Sequence, residues 1–199
     1  MPDSRSALLA AAAEEFARRG LQGTRVQAIV KRAGVNERMI YHHFGNKEGL
    51  YRAVLEAERF SVGEAWVPYL EKSAVMEPYD GMRSVLAAFF DIMTARPRLV
   101  ALLAHEWLDG AGANSMPTAD QLPAALRELY ERGQREGVFP ADRPFEIAYG
   151  ICMGALVGLT VFLPRFAESV DLGHDPATLR DHVVGQLMDG LTGSGPARS

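Results

Sequence analysis

One cysteine in 199 residues, Cys152, leaves no internal disulfide, and its apolar surroundings suit a buried thiol better than a nucleophile. Lysine is scarce: three stand against eighteen arginines, as GC-rich coding and a bacterial source would give. There is no CxxC pair, no Gly-rich phosphate loop and no nucleophile elbow, which removes the commonest thiolate-metal, nucleotide and hydrolase signatures. His105-Glu106-Trp107-Leu108-Asp109 comes near the zinc motif H-E-x-x-H but ends in Asp, so one ligand is missing and no metal is expected. No catalytic set and no cofactor is expected, and the chain does not read as an enzyme. No secretory signal stands before the first helical pattern, which points to the cytoplasm. The longest charge-free run, Ile147 to Leu163, has seventeen residues, short of the ~20 that a membrane span needs. Pro144 and Pro164 bound it and no second run accompanies it. A helix buried on nearly all sides is expected there, and no membrane partner.

What is present is helical periodicity from end to end. The net charge of -4 is unevenly placed: residues 1–50 hold eight Lys/Arg against five Asp/Glu, and the remainder hold thirteen against twenty. A weakly basic head on an acidic body is the footprint of a local nucleic-acid contact. The expected fold is all-α, with a three-helix head over 1–50, a larger helical body over 51–192 and a disordered tail over 193–199.

The head is organised around Thr24 to Leu50. Thr24-Arg25-Val26-Gln27 has capping-box form, and Ile29, Val30 and Ala33 give the helix that follows an apolar face. Gly34 ends it, Val35 fills the turn and Asn36 caps a second helix over about 37–44. Ile40 and Phe44, four apart, point inward, while Glu37, Arg38, Tyr41 and His42 lie opposite. Gly45 and Asn46 close that helix, and Lys47 opens a longer one. Two helices joined by a short Gly turn, the second with a polar outer face, make a helix-turn-helix whose second helix fits the DNA major groove. Thr24 and Lys47 stand at helix N-termini, where backbone N–H groups suit phosphate.

This stretch resembles the DNA-binding region of TetR-family transcriptional regulators. The resemblance rests on Gly20, Thr24, Ile29, Ala33-Gly34-Val35, Tyr41-His42-His43-Phe44, Lys47 and Leu50. Members often carry Asp-Ile-Ala where this chain has Ala28-Ile29-Val30, and a small residue then Thr where it has Arg38-Met39. The resemblance implies a homodimer on a palindromic double-stranded operator, most often as a repressor, released by a small and mostly apolar effector. The operator sequence does not carry over with the resemblance; by side-chain chemistry Arg38 would read guanine, Glu37 would accept from a cytosine amino group or simply discourage wrong sequences, and Met39 would touch a thymine methyl. Tyr41, His42 and His43 would touch phosphate or base, with Asn36 at the head of the same surface. Thr24, Arg25 and Lys47 would anchor the backbone.

Toward the body, Leu9, Ala12, Ala13 and Phe16 give the first helix (4–19) its apolar face. A long helix from Lys47 to about Trp66 would turn Leu50, Val54, Ala57 and Phe60 inward and either end or kink at Pro68 or continue briefly to Lys72. Helices follow over 81–95, 97–108, a region ending near 136 whose start is either Thr118 or Pro123, 144–167 and 176–191, with loops at 73–79 and 109–117. The resemblance implies an effector pocket walled by Phe89, Phe90, Met93, His105, Trp107, Tyr130, Tyr149 and Met153. It also implies a four-helix dimer interface from the last two long helices. Gly150, Gly154, Gly158 and Phe162 would contribute on the first, and Leu179, Val183 and Leu187 on the second; intramolecular packing is the competing use of that surface. A helical ligand-binding protein or enzyme with a vestigial head is the other functional class, separated by salt-dependent DNA binding.

Overall fold

The computed structural model describes residues 3–108, 121–169 and 175–193, with the backbone alone over 163–169. Among the described residues the chain is all-α, with no strand. Its helices are α1 (Ser4–Gly23), α2 (Val26–Ala33), α3 (Arg38–Phe44), α4 (Lys47–Ser73), α5 (Pro78–Thr94), α6 (Pro97–Leu108), α7 (Ala124–Arg135), α8 (Phe145–Ser169) and α9 (Pro176–Thr192). The expected loop over 109–117, the Thr118 start and the tail beyond Gly193 lie outside the described residues.

Of the two ends open for α4, the continuation past Pro68 is the one found, to Ser73. α1 runs past its kink at Gly20 to Gly23, and α5 begins earlier than expected, at Pro78, because proline is at home in a first helical turn. Of the two starts open for α7, Pro123 is the one found, as its N-cap. Asp175 caps α9, accepting from the amides of Ala177 and Thr178 at 2.9 and 3.2 Å.

The described chain forms two compact units. The first joins residues up to Gly63 with α6; the second holds Glu64–Ala95 and α7 to α9. The boundary therefore falls later than residue 50, and α6 belongs to the first unit because it packs along α1. Leu8, Ala12, Phe16, Ile29, Ile40, Leu50, Val54 and Leu102 form that unit's core. The Tyr51 ring meets Phe16 edge-on at 5.0 Å. Leu8 rather than Leu9 sits at the centre of the α1 face, and Ala57 and Phe60 point outward. The buried stripe of α4 in this unit runs Leu50-Tyr51-Val54-Leu55; Ala57, in line with Leu50, and Phe60 lie beyond its end and are exposed.

In the second unit α5 is the central helix, packed against α7, α8 and α9. Its wide apolar set, Met82, Val85, Leu86, Phe89, Phe90 and Met93, is buried throughout, as the sequence predicts. Trp66 stacks near Phe89 at 4.9 Å and donates its indole N–H to the Val85 carbonyl. Tyr130 stacks flat on Phe139 at 5.0 Å. α8 buries Ala148, Cys152, Leu156 and Thr160 at four-residue spacing, but its other face is uncovered. The expectation of burial on nearly all sides is corrected: only 28% of the apolar window Phe145–Phe162 is buried in the chain.

Candidate nucleic-acid interface

α3 is a seven-residue helix with one fully buried side chain, Ile40. Asn36 caps it as the sequence predicts, its Oδ1 accepting from the Arg38 amide at 2.9 Å. Arg38, Tyr41 and His42 are exposed and lie together on the outer face. The Tyr41 hydroxyl reaches Glu37 Oε1 at 3.5 Å. Met39, His43 and Phe44 are half-buried on the other side, with Met39 and Phe44 packed against the core. Of the candidate base-readers, the structure thus brings Glu37, Arg38, Tyr41 and His42 to one surface, and turns Met39 and His43 toward the unit.

The α2 end differs from the capping-box reading. Arg25 is the N-cap and gives no side-chain cap, while Thr24 is buried. The Thr24 hydroxyl donates backward, to the Gly20 carbonyl at 2.7 Å and the Glu15 carbonyl at 3.1 Å. It ties the start of α2 to the end of α1 and does not reach outward. The first amides of α2 are left without a side-chain cap, beside the exposed Arg25. Lys47 joins this corner, its Nζ donating to the Thr24 carbonyl at 3.3 Å. Behind it, Glu15 is buried and held by Arg32, whose Nε and Nη2 donate to Oε1 at 3.0 and 2.8 Å.

Gly20 marks a kink in α1, with φ 66° and ψ 179°, and the His105 ring of α6 lies directly on it. His105 and Trp107 therefore belong to the first unit. In the second unit a small, partly open apolar cavity of about 10 Å³, the room of one water, is lined by Met82, Leu86, Tyr130, Tyr149, Cys152 and Met153 among others. Tyr130, Tyr149 and Met153 of the expected pocket residues meet there; Phe89, Phe90 and Met93 are buried elsewhere in α5. Burial pushes the Tyr149 hydroxyl above its ordinary value and the Cys152 thiol up to about 11.

On the uncovered face of α8, Ile147, Ile151 and Phe162 are more than half exposed. Among the described residues, no other part of the chain comes within 4 Å of where a Cβ would stand at Gly150, Gly154 or Gly158. On α9, Leu179, Val183 and Leu187 are half-buried, because the core takes Val184, Met188 and Leu191 instead.

A family model described as "Bacterial regulatory proteins, tetR family" matches residues 8–54, and one described as "Tetracyclin repressor-like, C-terminal domain" matches residues 78–160. The chain belongs to the TetR family of transcriptional regulators. The HTH-type transcriptional repressor NicS of Pseudomonas putida is 32% identical to it over 151 residues, 73% of this chain and 70% of its own. The HTH-type transcriptional repressor SCO4008 of Streptomyces coelicolor is 28% identical over 189 residues, covering 90% of this chain and 91% of its own. A TetR-like transcriptional regulator from Rhodococcus sp. RHA1 has the same fold, with a TM-score of 0.71 at 20% identity over 96% of this chain and 97% of its own. The helix-turn-helix of this regulator is accordingly a DNA-binding element, and α2 and α3 are its two helices.

Residues that local sequence reading passes over are those whose partners are distant. Ser4 and Arg5 meet α3 across 39 residues, and Glu15 meets Arg32 across 17. No spacing rule within either segment signals them.

Proposed function

We propose that this regulator is a cytoplasmic homodimeric repressor, reading a near-palindromic operator through α3 and released by a small, mostly apolar effector. The observation that carries the reading is the cluster of Glu37, Arg38, Tyr41 and His42 on the outer face of a capped helix-turn-helix. Arg38 reads guanine through O6 and N7. Arg25, Lys47 and the uncapped amides of α2 hold phosphate. Thr24 supports them from behind, since its hydroxyl is engaged by two carbonyls.

The dimer is supported by the uncovered apolar face of α8. A helix crossing lipid alone would be apolar all round; this one has one face in its own core and the other rich in glycine and isoleucine. A second copy of α8 and α9 covers such a face at close approach. The effector site is supported by the cavity bordered by Tyr149, Cys152 and Met153. A cavity of about 10 Å³ holds no drug-sized molecule, so an effector binds by displacing side chains, and apolar chemistry matches the walls. It releases DNA if it favours the non-binding arrangement by a few kcal/mol.

The test is binding to the chain's own upstream intergenic DNA against random DNA across a salt series. Arg38→Ala is expected to cost ~1–3 kcal/mol on the specific duplex and relax preference at one position, whereas Lys47→Ala weakens all sequences alike. Equal losses for Arg38→Ala on both DNAs would show that Arg38 does not read a base.

A further inference from the structure

A seven-residue helix with one buried anchor is poorly determined in rotation about its own axis. Ile40 fixes the middle of α3, and the turn through Asn36 fixes its start. The far end is held by the opening turn of α1. Ser4 Oγ lies 2.9 Å from His43 Nε2, a hydrogen bond across 39 residues with both partners half-buried. One residue on, the Arg5 guanidinium lies over the Phe44 ring, 5.5 Å from its centroid. The His43 ring is wedged between His42 at 4.9 Å and Phe44 at 6.0 Å, both edge-on. Asp3 completes the arrangement by capping α1, its Oδ1 accepting from the Arg5 amide at 3.3 Å.

We infer that His43 is a positioning residue, held by Ser4, and that this clamp sets the angle at which α3 presents Arg38 and Tyr41 to DNA. The inference rests on the reading of α3 as the recognition helix. His43 Nε2 is engaged by a hydroxyl of its own chain, while the exposed His42 next to it has no such bond. Three observations distinguish a clamp from incidental contact. The bond adds a directional contact between the opening turn of α1 and the end of α3, which otherwise meet through apolar packing around Leu8, Ile40 and Phe44. It is paired with a second contact from the neighbouring residues. And it lies at the end of α3 opposite the Asn36 cap, where a small rotation displaces the outer face most.

The consequence is separable from direct phosphate contact. A phosphate ligand contributes to all DNA alike and to the salt slope; a positioning residue contributes only where base edges must be met. The experiment selects a duplex from a random pool with the wild-type full-length protein, then measures affinity for that duplex and for a scrambled one across salt. The variants are Ser4→Ala, Ser4→Thr, His43→Ala and the Ser4→Ala/His43→Ala double. Thermal melting accompanies each.

Ser4→Ala and His43→Ala are each expected to weaken the selected duplex by roughly tenfold, with the double variant no weaker than the singles, since both remove one interaction. Affinity for the scrambled duplex, the salt slope and the melting temperature stay near wild type, and Ser4→Thr, which keeps the hydroxyl, retains binding. Equal loss on both duplexes with a shallower salt slope for His43→Ala would make it a phosphate contact and overturn the clamp. Additive losses in the double variant, or losses that follow the melting temperature, would overturn it as well. Failure of the wild type to enrich any duplex would overturn the recognition-helix reading, and the clamp with it.

Discussion

Gly20 shows how much one residue can decide. Its φ of 66° with ψ of 179° is a region open essentially to glycine, and the His105 ring closes the space a side chain would take. A Cβ there would stand 3.0 Å from His105 Nδ1 and 3.2 Å from its Cγ. Gly20→Ala is expected to destabilise by about 1–3 kcal/mol, lowering the melting temperature by roughly 2–4 °C per kcal/mol. A melt unchanged within a degree would mean that the kink relaxes without cost. Cys152 makes a chemical prediction at the same scale. With its thiol pushed up to about 11 by burial, almost no thiolate exists at pH 8, and the sulfur is also shut from solvent. A thiol-specific reagent should leave it unmodified in the native protein and label it promptly in denaturant; rapid native labelling would show that the α8 cavity opens often.

Beside their apolar packing, the helices of the first unit are joined by a few polar contacts. α1 meets α2 through Thr24 and the Glu15–Arg32 pair, and α6 meets α4 through Arg59 and Glu106. The second pair is imperfect. Glu106 is buried, the Arg59 nitrogen is 3.6 Å from its Oε2, and that oxygen accepts no hydrogen bond within the described residues. A buried carboxylate with one distant cation is a poor source of stability. Glu106→Leu is therefore expected to be neutral or stabilising, whereas Arg59→Ala, which strands the carboxylate, costs about 1–3 kcal/mol. Denaturant midpoints of the two variants measure this, and a larger loss for Glu106→Leu would mean that the carboxylate has a partner outside the described residues. Packing at other joints is steric: in α7 Gly133 lies so close to the Phe139 ring that no side chain fits between.

At the scale of the whole molecule, the proposed dimer accounts for the surface that the fold leaves open. Within the second unit α8 satisfies one stripe and presents Ile147, Ile151 and Phe162 outward, and α9 leaves Leu179, Val183 and Leu187 half-buried. A charge on that face should separate the copies without disturbing the core. Ile151→Glu is expected to sediment as a monomer with native helix content. Affinity for a two-half-site duplex then falls by roughly 10²-fold or more, since the second head no longer binds as part of the same complex. A variant that stays dimeric with full affinity would place the interface elsewhere.

The all-α class, the helix-turn-helix and its caps were legible because each rests on residues within a turn or two of one another. Asn36 caps α3, Gly34 closes α2 in the left-handed conformation and Asp175 caps α9, all through bonds between residues two to four apart. The wide face of α5 was legible for the same reason, since helical periodicity alone fixes which side chains share a side. What tertiary structure decided lies across longer separations. The Thr24 hydroxyl was free to cap α2 by local rules, yet two carbonyls of α1 compete for it and win. His105 and Trp107 looked like pocket walls by their polarity and size, but the packing of α6 on α1 puts them in the first unit. The charge-free run of α8 reads as buried on every side, because composition records apolarity and not its cover; only the packed chain shows which stripe its own core takes and which it leaves for another surface.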